Sequence, residues 1–416
     1  MLWYSVLMWV FGVVRVFGFH HQNNVCPTLE DYKTIFHNSN CRYNPDVGSS
    51  PKFIAKRYGY PLQSHEVVTE DGYILTLHRI SGSRNPENSK KKQPVLVFHG
   101  LGGSSAFWML QGKKSLAFFL GDSGYDVWLG NWRGNYYSNR HVTLAEDSAK
   151  YWNFGFHEMA IYDLPACIDF VANRTGEKGN LIYVGHSMGT TISYIYSTVK
   201  RKHAEDNVKA IISLAPVAYM KNVMGAFRLL APLAPLVADI LRSKGFSAIG
   251  QYYKVQRTIL VATCGNYPFI DLCNILLIFS SGLSVEQFQA EMIPVFFSYY
   301  PSGISLRTLE HFAQIVTSNG RFRMFDYGLR GNLEHYNSTD PPEYDTSQIP
   351  VPIHLFVGNN DIIGDVKDAS ILESRLNKGR SVSTSQIYKF PFAHNDFFLA
   401  KQLDGFHKSL LQAIQR

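Results

Sequence analysis

The strongest chemical signal in the chain is Gly185-His186-Ser187-Met188-Gly189, which follows a short apolar run at 181–184 and precedes a helical pattern from Thr190. A Gly-x-Ser-x-Gly turn between strand and helix suits a nucleophilic serine. The turn is sharp and strained, and glycines two positions either side avoid clashes with the neighbouring strand and helix. The hydroxyl is left exposed at the helix N-terminus. Such a serine needs a base, and the base needs an orienting acid. In this architecture the chain order is Ser, acid, His, each partner following a later strand. Asp361, in Gly358-Asn359-Asn360-Asp361, and His394, in Phe392-Ala393-His394-Asn395-Asp396, occupy those places. Asp365 and Asp368 are rival acids, but they fall where a helix should already have begun, and helix capping accounts for such residues. Of the other nearby histidines, His354 sits inside a strand pattern and His407 in the final helical stretch.

An oxyanion formed during attack needs backbone donors, expected from Met188 and from Leu101 in His99-Gly100-Leu101-Gly102. Gly100-x-Gly102 does not complete a phosphate-cradling Gly-x-Gly-x-x-Gly, because position 105 is Ser105. His65, His99, His141 and His157 lack metal-ligand spacing, and His157-Glu158 has no second histidine four positions on. They are expected to be structural, and neither a metal nor a cofactor is expected.

The elements that must hold these residues read as an α/β fold. Strand patterns cover 72–80, where Tyr73, Leu75 and Leu77 share one face, and then 94–98, 125–129, 181–184, 210–214, 351–357 and 385–390. Helical patterns at 155–175 and 190–203 lie between them. Short β-branched and aromatic runs separated by helices predict βαβ units and a mostly parallel sheet. From 217 to 345 strand signals give way to apolar helical stretches, closed by Pro341-Pro342. This block reads as a helical insertion that accounts for the long gap between Ser187 and Asp361. The expected organisation is a signal peptide (1–18), a first core part (19–216), a helical cap (217–345) and a second core part (346–416).

The 416 residues are 45% hydrophobic and 18% charged, enough apolar material for a large core and not the composition of a disordered chain. The net charge of +7 is spread out, with Lys90-Lys91-Lys92 its tightest cluster, so no nucleic-acid partner is expected. Residues 2–14 are uncharged and end at Arg15, too short for the roughly 20 residues that span a bilayer. They suit a signal-peptide apolar region cleaved after Gly18, with an uncleaved anchor or a buried N-terminal helix as alternatives. Residues 223–241 are interrupted by Arg228, Pro232, Pro235 and Asp239, so no stable transmembrane anchor is expected. Five cysteines leave at least one unpaired. Cys264 and Cys273 sit in a loop-like stretch, Cys26 and Cys41 are a further candidate pair, and Cys167 reads as a buried thiol in a helix. Asn173-Arg-Thr and Asn337-Ser-Thr are glycosylation acceptors. Together these features point to the secretory pathway.

Several longer segments carry a specific resemblance. They are 60–77 with Asp71-Gly72-Tyr73, His99-Gly100-Leu101, residues 131–141 (Asn-Trp-Arg-Gly-Asn-Tyr-Tyr-Ser-Asn-Arg-His) and residues 152–165 (Trp-Asn-Phe-Gly-Phe-His-Glu-Met-Ala-Ile-Tyr-Asp-Leu-Pro). Residues 185–191, 326–328, 341–344, 358–361 and 392–397 complete the match. Over most of its length the chain resembles the acid lipase family of gastric, lingual and lysosomal lipases and their insect relatives. The resemblance implies an α/β-hydrolase fold with Ser187, Asp361 and His394 as the triad, and a bridge between Cys264 and Cys273 within the cap. It also implies hydrolysis of acylglycerols or sterol esters at a lipid–water interface, by a secreted or lysosomal enzyme. The chain departs from the family at Met188, at Gly102-Gly103-Ser104 and at Gly364, none of which removes a catalytic group. A carboxylesterase acting on smaller esters is the nearer alternative; a non-catalytic lipid-binding protein on the same fold is the further one.

Overall fold

The structure is a computed structural model that describes residues 22–82, 92–250, 253–378 and 385–416. The expected signal peptide at 1–18 lies outside the described residues.

Eight strands build the main sheet: β1 (Gln63–Val68), β2 (Tyr73–Ile80), β3 (Pro94–Phe98), β4 (Asp126–Gly130), β5 (Leu181–His186), β6 (Val208–Leu214), β7 (Ile353–Gly358) and β8 (Ser385–Phe390). Their spatial order is β1-β2-β4-β3-β5-β6-β7-β8, with the short strand Arg140–His141 beside β2. The pairs β1–β2 and β2–β4 are antiparallel, and every pair from β4 to β8 is parallel. Parallel strands need crossover helices that cover both faces, so their strands read as continuous apolar runs. All five residues of β3 are buried accordingly.

The helices that matter for the site are α1 (Leu116–Asp122), α2 (Leu164–Thr175), α3 (Met188–Val199), α4 (Ala234–Ser243), α5 (Tyr253–Cys264), α6 (Phe269–Ser281), α7 (Leu306–Thr317), α8 (Val366–Leu376) and α9 (Asp404–Gln415). Alternate side chains of the central strands enter separate cores. Leu96, Phe98, Tyr183 and Leu355 pack with Ile168 of α2, Ile192 of α3 and Leu372 of α8. Val95, Val97, Val184 and Ile212 pack with Phe118 of α1 and Leu410 of α9. Strand β1 escapes the sequence pattern because its burial is poor: of its six residues only Val67 is buried. The 155–175 helical pattern contains a π-helical turn, Met159–Asp163, ahead of α2.

All eight strands of the main sheet lie outside 217–345, where the chain forms α4 to α7 with shorter helices and one two-stranded pair, Ala248–Ile249 with Ile304–Ser305. Among the described residues no single helix is long and apolar enough to cross a membrane; α5 and α6 pass that test only as a pair bent by 105°.

Both candidate disulfides are formed, Cys26–Cys41 and Cys264–Cys273, while Cys167 is free and buried. The latter bridge corrects the loop-like expectation. Cys264 is the last residue of α5 and Cys273 lies within α6, so the bridge staples two helices across a turn at 265–268. Closing so short a loop stabilises by about 2.5 kcal/mol in the chain-entropy picture. Both bridges share one small core cluster with Tyr32, Ile270 and Ile293, which joins the N-terminal segment to the helical block.

Candidate active site

Ser187 joins β5 to α3 with φ 52° and ψ −118°, a left-handed conformation that costs a non-glycine residue on the order of 1–3 kcal/mol. Of the flanking glycines, Gly185 is sterically required and Gly189 is tightly packed. A Cβ on Gly185 would lie 2.8 Å from the backbone of Gly189, and one on Gly189 would lie 3.1 Å from the Phe98 carbonyl oxygen. Ser187 N–H continues the sheet pattern by donating to Leu214 O at 3.0 Å.

The expected partners converge on this turn. His394 Nε2 lies 2.8 Å from Ser187 Oγ, and its Nδ1 lies 2.9 Å from Asp361 Oδ2. A carboxylate only accepts, so Nδ1 carries the proton and Nε2 is left as the base facing the hydroxyl. Asp361 Oδ1 is held in turn by the N–H groups of Ile363 and Gly364, both at 2.8 Å. Gly364 suits this turn, since a Cβ there would approach Asp361 Oδ2 to 2.9 Å. The rival acids are engaged elsewhere: Asp365 caps α8 through Lys367 N–H, and Asp368 accepts from the Asn222 backbone and side chain. His354 is buried in β7, and His407 stacks on Phe119.

The backbone of His394 is also fixed. Its carbonyl accepts from His186 Nε2–H at 2.8 Å, and its N–H donates to Ser281 O, the last residue of α6, at 3.0 Å. Around this contact the helical block fits the main sheet closely. A Cβ on Gly282 would lie 2.3 Å from Asn360 O, and Met224 N–H donates to Ile362 O at 2.8 Å.

Met188 is the first residue of α3, where backbone N–H groups have no intrahelical acceptor. Gly100 presses on the serine so closely that a Cβ there would lie 2.9 Å from Ser187 Cβ, which brings the neighbouring Leu101 to the same spot. Leu101, Ser187 and His394 line a cavity of about 400 Å³. Its other walls are mostly apolar, with Phe107 from the core and Phe227, Leu230, Leu276, Phe279, Phe296 and Tyr300 from the helical block.

Comparison with known proteins gives this geometry a family. Residues 52–112 match the family model described as "Partial alpha/beta-hydrolase lipase region", and residues 93–243 match that of the alpha/beta hydrolase fold. The chain is 37% identical to the gastric triacylglycerol lipase of Rattus norvegicus over 80% of its own length and 84% of the relative's. The chain belongs to the acid lipase family. It is also 36% identical, over 79% of its length and 82% of the relative's, to a protein of Crotalus adamanteus named putative lysosomal acid lipase/cholesteryl ester hydrolase. Among solved structures, the alpha/beta hydrolase GrgF from Penicillium sp. sh18 superposes with a TM-score of 0.51 at 12% identity, covering 86% of this chain and 98% of that one, and so shares the fold.

The scattered histidines of this acid lipase family member have structural partners. His141 Nε2–H donates to Asp71 O, His157 pairs with the Tyr344 hydroxyl, His65 packs on Trp128 and Phe170, and His99 donates to Gly100 O. Among the described residues no three His, Cys, Asp or Glu side chains are grouped to hold a metal ion. Asn173 and Asn337 are both exposed.

Sequence reasoning missed two features. Arg133, buried to 2% exposure, bonds Asp163 through Nε at 2.8 Å and Asp71 through Nη2 at 2.8 Å, and lies 3.9 Å over the Tyr73 ring. The other is Asp396, two residues after His394, whose Oδ2 accepts from Ala393 N–H at 2.7 Å. Burial pushes its carboxyl up to about 7, the Asp361 charge adding to the rise. The ordinary carboxyl value is 3.8, so the folded chain holds this proton more tightly than the unfolded one. The associated stability is complete below about pH 4 and is lost as the pH rises through about 7. Asp396→Asn should therefore lose less thermal stability than the parent between about pH 5 and pH 8. An equally steep fall in both proteins would show that this carboxyl does not control it.

Proposed function

We propose that the chain is a secretory-pathway serine lipase that hydrolyses carboxylic ester bonds of neutral lipids, triacylglycerols or sterol esters, through an acyl-enzyme. One observation carries this reading: the hydrogen-bonded series Asp361–His394–Ser187 opens into a largely apolar cavity of about 400 Å³. His394 Nε2 takes the proton of Ser187 as Oγ attacks the ester carbonyl. The N–H groups of Leu101 and Met188 hold the oxyanion, and His394 then protonates the leaving alcohol. Water, activated by the same base, hydrolyses the acyl-enzyme, and Asp361 stabilises the transient imidazolium.

Residues 217–345 would act as a cap over the core formed by 19–216 and 346–416. Its helices expose Leu229, Leu233, Leu236, Val237 and Ile240 on one stretch and Phe269, Leu272, Ile275 and Phe279 on α6. Apolar side chains exposed in such number suit contact with a lipid–water interface. Two disulfides and the gastric and lysosomal names of the relatives support a secreted or lysosomal location, with 1–18 as signal peptide. No cofactor enters this chemistry.

The test is hydrolysis across acyl chain lengths, from short soluble esters to emulsified triolein, at about pH 5 and pH 8. Long-chain activity is expected. Activity confined to short esters would make the protein a carboxylesterase, and none at all would favour lipid binding without catalysis.

A further inference from the structure

The loop after β3 carries Leu101, yet it contains three glycines, Gly100, Gly102 and Gly103, and so has little stiffness of its own. Its shape is imposed from outside: Ser302 N–H donates to Gly102 O at 2.7 Å, and the segment after β4 holds both ends. Trp132 Nε1–H donates to His99 O at 2.9 Å, and Asn135 Nδ2–H donates to Gly103 O at 2.6 Å. Tyr137 N–H donates to Asn135 Oδ1 at 2.8 Å, which fixes which end of the carboxamide faces the loop.

The His99 ring completes the frame. Its Nδ1 lies 2.7 Å from Gly100 O and must donate, so Nε2 is an acceptor. That nitrogen faces two donors, Trp132 N–H and Asn135 Nδ2–H, each at 3.4 Å. Burial holds the ring neutral, lowering its pKa to about 4. Asn135 is itself 1% exposed, so no solvent replaces a lost bond. One amide nitrogen thus ties both ends of the stretch in which Leu101 sits.

We infer that Asn135 is a positioning residue for ester hydrolysis: its carboxamide, bonded to Gly103 O and His99 Nε2, sets the place of Leu101 N–H opposite Ser187. The inference rests on the reading of Leu101 as an oxyanion donor. Such a group acts on the transition state and not on substrate binding, so its loss appears in kcat and not in KM.

The experiment compares Asn135→Asp, Asn135→Ala and Ser187→Ala with the parent, using p-nitrophenyl butyrate and thermal unfolding. Deleting an oxyanion donor outright costs about 10²–10³ in kcat, so displacing one should cost roughly 10- to 100-fold. Asn135→Asp keeps the shape and the acceptor for Tyr137 N–H but donates to Gly103 O only when protonated. Its kcat, relative to the parent, should therefore fall about 30-fold near pH 8 and recover towards pH 5, with KM within about twofold. Asn135→Ala should lose as much without recovering. Parent-like kcat, a loss confined to KM, an equal loss for Asn135→Asp at both pH values, or failure of both Asn135 variants to fold would each overturn the inference. Retained hydrolysis in Ser187→Ala would instead overturn the assignment of the nucleophile, and this inference with it.

Discussion

Ser187→Ala should lower kcat for ester hydrolysis by roughly 10⁶-fold while leaving thermal unfolding near that of the parent, because in the proposed mechanism loss of the nucleophile removes the covalent route and leaves only binding and oxyanion stabilisation. The fold should not notice. Ser187 Oγ makes one side-chain hydrogen bond, to His394, whose ring stays anchored by Asp361 and whose backbone stays held by His186 and Ser281. Alanine keeps the left-handed strain of φ 52°, whereas Ser187→Gly should be equally inactive and more stable, since glycine adopts that conformation freely. Activity on p-nitrophenyl butyrate and triolein, set beside melting curves of the three proteins, checks both parts. More than about 1% residual kcat in Ser187→Ala would remove the serine from the mechanism.

Arg133→Met should destabilise the chain by about 3–5 kcal/mol, the cost of leaving a buried charge without its partner. Asp163 is fully buried and takes two hydrogen bonds from the guanidinium and a third from Arg133 N–H. Asp71 loses both guanidinium bonds at the same time and keeps the one from the Thr69 hydroxyl. Replacing both members of the inner pair, Arg133→Met with Asp163→Asn, should recover part of the loss, because no unpaired charge then remains at the core. Urea unfolding of the three proteins measures this; a single-variant loss below about 1 kcal/mol would mean that Asp163 ionises little in the folded chain.

Much of the molecule was legible because its constraints are local. The Gly185 and Gly189 spacing reports a turn too tight for a larger residue at Gly185 and closely packed at Gly189, and continuous apolar runs such as β3 report a sheet covered on both faces. Asp361 and His394 could be located because each follows a strand that its own residues announce. What was hidden depends on distant partners. Strand β1 is a polar edge with one buried side chain, so it carries no alternation to read. Arg133 looks like any surface arginine until Asp71 and Asp163 are folded around it. Asn135 draws its meaning from Gly103, which lies on another strand's loop. Cys264 and Cys273 sit beside Gly265 and Pro268, turn residues that masked the helices on either side.

The tie between Ser281 O and His394 N–H also bears on protein engineering. If residues 217–345 form the proposed cap, transplanting that block between relatives is an obvious way to alter chain-length preference. Here that block is not a detachable part: its edge residues supply an acceptor to the His394 N–H, leave room only for glycine against Asn360, and bond the turn that holds Asp361. A chimera should place its junctions inside the block, so that Met224, Ser281 and Gly282 stay with the host sheet. Cutting at the strand ends instead would disturb the hydrogen-bonded series Asp361–His394–Ser187.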